Sequence, residues 1–277
     1  MKKLVFVTGM GRGIGRVIAL KLAAEGYSVS GCARTLDELQ ETKKLSGGKI
    51  NITTLDIRDY KSIENWMTKE CQATDATPWG LVTAAGIHGP VGTLIENSWE
   101  DWQNAVDINL FGTVMSVKIF TEILTEKKLP GRIVLLSGGG ATKPIPNVSS
   151  YCATKAGVVR FGETVAKELR PFNITVNSIA PGAVNTKLTE EILNAGPEKA
   201  GKEFYDNTVK QIKQGGANPE ISAELVSYLF GPKGGVVTGK LIASLWDEWA
   251  NFHEWADKLD KSEIYTLRRI LPEDRLS

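Results

Sequence analysis

Leu4, Val5, Phe6 and Val7 run directly into Thr8, Gly9, Met10, Gly11, Arg12, Gly13, Ile14 and Gly15, after which Ile14, Ile18 and Leu22 recur at helical spacing up to Gly26. A short, continuously apolar run suits a strand buried on both faces, the usual condition in a parallel sheet. Strand, glycine-rich loop and helix in that order let a diphosphate approach backbone N–H groups at the positive end of a helix. The spacing here is TGxxxGxG rather than GxGxxG. A glycine-rich turn that binds nothing is the plainer alternative. Either way, the pattern predicts an α/β chain with parallel strands.

The strand–helix rhythm continues downstream. Residues 27–32 form the next apolar segment and are followed by Ala33 and Arg34. An acidic side chain at this place would bind a ribose 2′-hydroxyl, whereas an arginine suits a phosphate. Arg12 adds a second guanidinium at the same corner, which favours NADP(H) over NAD(H); two solvated surface arginines are the alternative. Thr35 with Glu38 three residues later reads as a capping box, leaving Asp37 in the first turn of a helix. Ile50, Ile52 and residues 55–57 suggest a third strand ending near Asp56, a candidate acceptor for an adenine amino group. Asp59 opens the helix carrying Ile63, Trp66 and Met67. Residues 81–86 make a fourth strand that ends in small residues, where backbone can lie close to a ligand. His88 follows at the edge of the expected cleft, although a lone histidine is more often packed or solvated. Ser98 and Asp101 start a long helix with Trp99, Trp102, Val106 and Val114. Within it, Gly112 weakens regular geometry near Asn109, whose amide is a candidate holder of a water.

Tyr151 and Lys155 form a YxxxK at the start of another helical segment. Four residues is slightly more than one turn, so both side chains leave the same face. Using a phenol as an acid or base near neutral pH asks for a shift worth about 4 kcal/mol. A cation about 5 Å away at an effective dielectric near 20 supplies roughly 3 kcal/mol. Lys155 thus has the sign, reach and size to lower the pKa of Tyr151.

Taken together, Thr8, Gly9, Gly13, Gly15, Asp56, Ala84, Ala85, Gly86, Asn109, Tyr151, Lys155, Pro181, Gly182 and Thr186 resemble, in order, the motifs of the short-chain dehydrogenase/reductase family in its single-domain branch. The resemblance implies a doubly wound parallel Rossmann sheet, reversible carbonyl reduction with a nicotinamide cofactor, and a homodimer or homotetramer formed through the helices of Asn109 and Tyr151. It implies that Tyr151 exchanges the proton at the substrate oxygen, that Lys155 assists it and binds the nicotinamide ribose, and that Asn109 holds a relay water. Further cofactor contacts are implied for Arg12, Ile14, Arg34, Ile57 and Val184. Pro181 and Gly182 would turn the chain under the nicotinamide, with Thr186 on the carboxamide. The chain departs from the pattern where a serine stands thirteen residues before the tyrosine, because that position is Gly138 and Ser137 is one residue off. A one-residue slip at a strand end points a hydroxyl to the other face. A bulge at the three glycines 138–140 would return it, and Ser137 is the expected donor on that basis. Thr83 also replaces the first asparagine of the family's NNAG.

The rest of the chain is less regular. Val158, Val159, Phe161, Val165 and Leu169 continue the Tyr151 helix, and residues 174–180 make another buried strand. Residues 187–216, punctuated by Gly196, Pro197, Gly201, Gly215 and Gly216, read as a lid. Glu220 begins one more helix, and residues 241–243 form a last edge strand. The expected organisation is one domain over 1–245 and a helical extension over 246–277 that packs on the domain or on a subunit interface. This extension carries Trp246, Trp249, Trp255, Arg268 and Arg269.

Whole-chain properties narrow the function. With 33 basic and 32 acidic residues, the net charge of +1 gives no field directed at nucleic acid or an anionic membrane. Cys32, Cys71 and Cys152 are odd in number and widely spaced, which suits no metal site or disulfide framework and points to a cytoplasmic setting. The apolar run 4–7 is shorter than the roughly 7 to 15 residues of a signal core, and no stretch suggests the roughly 20 apolar residues of a membrane span. The leading expectation is an NADP(H)-dependent enzyme acting on a small carbonyl or alcohol. A nucleotide sensor without turnover and a sugar-modifying epimerase or dehydratase are the alternatives.

Overall fold

The computed structural model describes residues 2–271 and 274. Its strands are β1 (Lys3–Thr8), β2 (Ser28–Ala33), β3 (Ile50–Thr54), β4 (Thr77–Thr83), β5 (Gly131–Leu136), β6 (Ile174–Ala180) and β7 (Leu241–Ala243). They make one sheet in the order β3-β2-β1-β4-β5-β6-β7, with every pairing parallel. The winding reverses between β1 and β4, and such a switch point opens a crevice at the carboxyl ends of the strands. The third strand is shorter than residues 50–57 suggested: it stops at Thr54, and Asp56 lies in the connection beyond it.

The alternation of side chains along β1 divides the core. Val5 and Val7 join a buried cluster with Ile18 and Leu22 of α1 (Gly13–Ala24), Leu39 of α2 (Leu36–Leu45) and Phe230 of α9 (Pro219–Phe230). Leu4 and Phe6 face the other way, towards Trp66 of α3 (Tyr60–Ala73), Phe120 of α5 (Gly112–Glu126) and Val158 of α6 (Ser149–Glu168). Phe6 meets Trp66 and Phe120 edge-on, with ring centroids 5.2 and 5.9 Å away. Helices on both faces therefore follow from a period of two in one strand.

Asp59 caps α3 by accepting from Lys61 N and Ser62 N, and Ser98 caps α4 (Trp99–Val106) by accepting from Asp101 N. Between α4 and α5 the chain makes one π-helical turn, Asp107–Phe111, in which Gly112 N donates to Asp107 O. This is the irregularity expected beside Gly112. Trp99–Glu126 holds an 18-residue window with a mean hydropathy of 1.3, enough by length and composition for a membrane span, but half of that window is buried inside the domain, as in the core helix of a globular protein.

After β6, α7 (Lys187–Ala200) kinks at Gly196 and packs beside α8 (Lys202–Lys213). Beyond β7 the tail folds back over the edge of the sheet. Leu241 N donates to Tyr265 O at 2.7 Å and Ala243 N to Asp247 Oδ2 at 2.6 Å. Lys240 is buried and donates to the carbonyls of Ser262 and Ile264. Phe252 and Leu259, rather than a tryptophan, are the apolar tail residues buried in the core among the described residues; Trp249 lies against Tyr228, Trp255 against Phe252, and Trp246 is exposed. The helical part of the tail is slight: a 3-10 segment, Trp249–Trp255, and α10 (Ala256–Asp260).

Candidate active site

The glycine loop between β1 and α1 is the first wall of the crevice. Gly9 and Gly13 have φ of 68° and 58°, a region that side-chain-bearing residues rarely adopt. A Cβ on Gly9 would stand 2.6 Å from Ala85 N, so β1 and β4 approach here without side chains between them. Thr8 completes the tie, since its Oγ1 accepts from Ala85 N at 3.3 Å. Arg16 braces the loop from below, donating to Gly11 O and to Thr42 Oγ1 on α2, a role that nothing in the spacing announced. A glycine-rich loop at the start of α1 has the form needed to hold a diphosphate.

The corner that would read the adenosine ribose differs from expectation. Thr35 makes no side-chain cap, and Glu38 turns instead to Arg12, with a 2.6 Å ion pair. Local capping loses because a cation from the loop lies within reach of the carboxylate. Arg34 is exposed, and its charge is felt at Asp56. Asp56, expected to face an adenine, is held by the Arg58 guanidinium at 2.6 Å, and that bond lowers its pKa. Ile57, by contrast, is buried against the long helix.

Across the crevice, the first two turns of α6 carry Tyr151 and Lys155. Lys155 Nζ donates to Leu136 O at the end of β5 at 2.9 Å and stands 5.8 Å from the Tyr151 ring centre. Asn109 is fully buried in the π turn. Its Oδ1 accepts from Ile87 N, and its Nδ2 donates to Ile87 O and Thr154 Oγ1. Both amide hydrogens are therefore spent on clamping the exit of β4 to α6. A Cβ on Gly86 would lie 3.2 Å from Asn109 Oδ1 and 3.4 Å from Lys155 Nζ, so the three meet at one point.

Burial sets the protonation states in this arrangement. Tyr151 is pushed up to about 12 and Lys155 down to about 8, each mainly by desolvation. Taking the phenolate out of water raises Tyr151, and burial disfavours the charge on Lys155 in the same way.

Ser137 does not serve as expected. Its hydroxyl donates to Lys155 O at 3.3 Å, and no bulge returns it to the tyrosine. Position 138 is the one that faces Tyr151: a Cβ there would fall 2.3 Å from the phenolic oxygen. His88 is buried, and its ring meets the Tyr151 ring edge-on at 4.9 Å between centroids. On the far side, Gly182 has a φ of 82°, following Pro181, and Val184 is buried. Thr186 caps α7 in a reciprocal pair with Thr189, and its methyl would stand 3.5 Å from a Cβ on Gly13. The start of α7 thus lies over the glycine loop. The tail lines a separate cleft of 760 Å³ with Ala141 and Thr142, just past the glycine tract.

Comparison with known proteins agrees with this layout. A family model described as short chain dehydrogenase matches residues 3–196. A (3R)-3-hydroxyacyl-CoA dehydrogenase of Homo sapiens is 28% identical over 249 residues, spanning 85% of this chain and 91% of that protein. A 3-oxoacyl-(acyl-carrier-protein) reductase of Thermotoga maritima is 30% identical over 244 residues, 87% of this chain and 95% of its own length. Among solved structures, an actinorhodin polyketide ketoreductase with NADPH superposes with a TM-score of 0.78 at 29% identity, covering 90% of this chain and 98% of that one.

Proposed function

The chain belongs to the short-chain dehydrogenase/reductase family of oxidoreductases acting on hydroxyl and carbonyl groups, and from that premise we propose that it is an NADP(H)-dependent carbonyl reductase with Tyr151 and Lys155 as its acid–base pair. The observation that carries this reading is the meeting of Lys155 Nζ, Asn109 and Gly86 beside the Tyr151 ring, together with a glycine-rich loop at the start of α1. The loop residues Gly9, Gly13 and Gly15 would hold the diphosphate, and Ala84, Ala85, Gly86, Pro181, Gly182, Val184 and Thr186 would flank the nicotinamide. When bound, the nicotinamide supplies or accepts the hydride.

Tyr151 holds a proton at its phenolic oxygen and delivers it to the substrate oxygen as charge develops there. A pKa raised to about 12 keeps the phenol protonated at neutral pH, which suits the donor needed for reduction. Lys155, near 8, is mostly charged at pH 7 and offers the cation that the phenolate needs after proton transfer. Asn109 contributes by position, holding the exit of β4 against α6. With Gly138 in the serine register, the oxyanion lacks one side-chain donor. Such a loss typically costs about 100-fold to 1000-fold in rate.

Arg34 and Arg12 support the choice of NADP(H). The Arg12–Glu38 pair is solvent-exposed and worth about 0 to 1 kcal/mol, so a 2′-phosphate can recruit the arginine at little cost. The relative solved with NADPH points the same way. For assembly, α5 and α6 are the proposed contact between copies in a dimer or tetramer, and exposed Phe111 supports it. The free cysteines fit a reducing, cytoplasmic setting. The test is oxidation of NADPH, followed by absorbance, with a panel of ketones, aldehydes and 3-oxoacyl thioesters, the last chosen from the names of the relatives. Turnover of at least one carbonyl is expected, and none across the panel contradicts the proposal.

A further inference from the structure

Lys240 and Glu163 are buried ionisable groups with no part in the proton transfer, and both are spent on one stretch of backbone in the tail. Lys240 Nζ donates to the carbonyls of Ser262 and Ile264, each at 2.9 Å. Glu163, on α6, accepts from Leu267 N at 2.6 Å and pairs with Arg160, which itself donates to Leu267 O. Between these ties Tyr265 has a φ of 60°, a region that residues with side chains rarely adopt. Burying charge is costly unless each group is bonded, so this stretch follows a fixed path rather than forming a loose end.

A fixed tail gives the cleft beside it a fixed wall. The cleft measures 760 Å³, within the usual range of small-molecule sites, and Ala141 and Thr142 face the tail across it. Gly138 faces the Tyr151 phenol, and a Cβ on Gly140 would stand 3.1 Å from the Tyr151 ring. The turn Gly139–Ala141 is a 3-10 helix, which rises about 2 Å per residue, so Ala141 lies about 6 Å along from Gly138. The cleft thus opens within one short turn of the backbone that faces the phenol. Ala141, Ile264, Leu267 and Ile270 supply its apolar lining, and the exposure of Ile264 and Ile270 leaves apolar surface uncovered there. Its cation, Arg268, is taken up by Asp274 at 2.5 Å and faces Glu263 at 3.6 Å. One guanidinium against two carboxylates leaves the lining with an excess of negative charge, which repels an anion, whereas a neutral apolar group gains by being buried. We propose that this tail-lined cleft is the outer part of the substrate site and takes a neutral, mainly apolar substituent of the ketone, so that the preferred substrates are bulky uncharged carbonyl compounds. This inference rests on the carbonyl-reductase reading and deepens it.

The experiment compares kcat/KM with NADPH for butan-2-one, 4-phenylbutan-2-one and the para-carboxylate of the latter, in the wild-type protein, Thr142→Trp and Ile270→Lys. The wild type is expected to favour the phenyl ketone over butan-2-one by about 10-fold or more, and over the carboxylate by about fivefold or more. Thr142→Trp, at an exposed position, puts an indole into the cleft and lowers the first ratio at least about fivefold, whatever happens to the absolute rates. Ile270→Lys, also at an exposed position, supplies an unpaired cation and lowers the second ratio at least about threefold; it carries the test should Thr142→Trp not fold. Equal values for the phenyl ketone and butan-2-one in the wild type, a wild-type preference for the carboxylate, or ratios that survive both substitutions overturn the proposal. So does failure of all these ketones while other carbonyls of the panel react. Failure of every carbonyl instead overturns the reductase reading, and this inference with it.

Discussion

Gly138 is the position at which the structure and the family pattern predict opposite outcomes. A Cβ added there lies 2.3 Å from the Tyr151 oxygen and 3.3 Å from Cζ. Uncharged carbon and oxygen atoms pack at about 3.5 Å, so the hydroxyl has to retreat by about 1 Å. The ring has little room to do so, because His88 stands edge-on to it and a Cβ on Gly140 would already be 3.1 Å from its Cδ1. Moving a reacting group by 1 Å costs about 100-fold in rate. Gly138→Ala is therefore expected to lose about 100-fold in kcat/KM for the best ketone of the panel. Gly138→Ser restores the usual serine and is also expected to lose, because its Cβ reaches the phenol before its hydroxyl can help. NADPH binding, followed by fluorescence titration, reports whether the cofactor site survives in each variant. A Gly138→Ser protein faster than wild type, or a Gly138→Ala protein within twofold of it, refutes the reasoning.

Three further outcomes follow from the same geometry. Lys155 must be charged to stabilise the phenolate, and burial holds it near 8; kcat/KM for reduction should be level below that pH and fall above it, and a plateau extending to pH 10 contradicts the assignment. Arg34→Ala should weaken NADPH by about 1 to 3 kcal/mol in a binding titration and NADH much less, whereas Glu38→Gln should tighten NADPH by releasing Arg12; equal losses for both cofactors in Arg34→Ala remove the argument. Phe252→Ala should cost about 3 to 5 kcal/mol in urea unfolding, because this tail residue is fully buried in the core; an unchanged midpoint means that the tail adds nothing to the stability of the domain.

What could be read from the chain beforehand was local. The apolar run of β1 and the glycines after it define strand, loop and helix within about 20 residues, and the Tyr151–Lys155 spacing fixes a shared helix face by geometry alone. The irregular turn around Asn109 was also legible, from Gly112. What escaped depends on partners distant in sequence. Glu38 abandons its cap for Arg12, 26 residues away. Lys240 is buried because Ser262 and Ile264 present carbonyls to it. Ser137 and Gly138 differ by one residue, yet the path of the chain out of β5 decides which faces the tyrosine. His88 becomes buried only when the distant helix of Tyr151 packs against its ring. The spacing of Tyr151 and Lys155 carries a pairwise attraction but not the burial that raises the phenol.

The central claim is that Tyr151 transfers the proton, and the most direct measurement is single-turnover oxidation of NADPH by Tyr151→Phe, with cofactor binding measured on the same sample. The account predicts retained NADPH binding and a rate lower by about 100-fold to 10,000-fold. A variant that binds NADPH and reduces the ketone at the wild-type rate contradicts it.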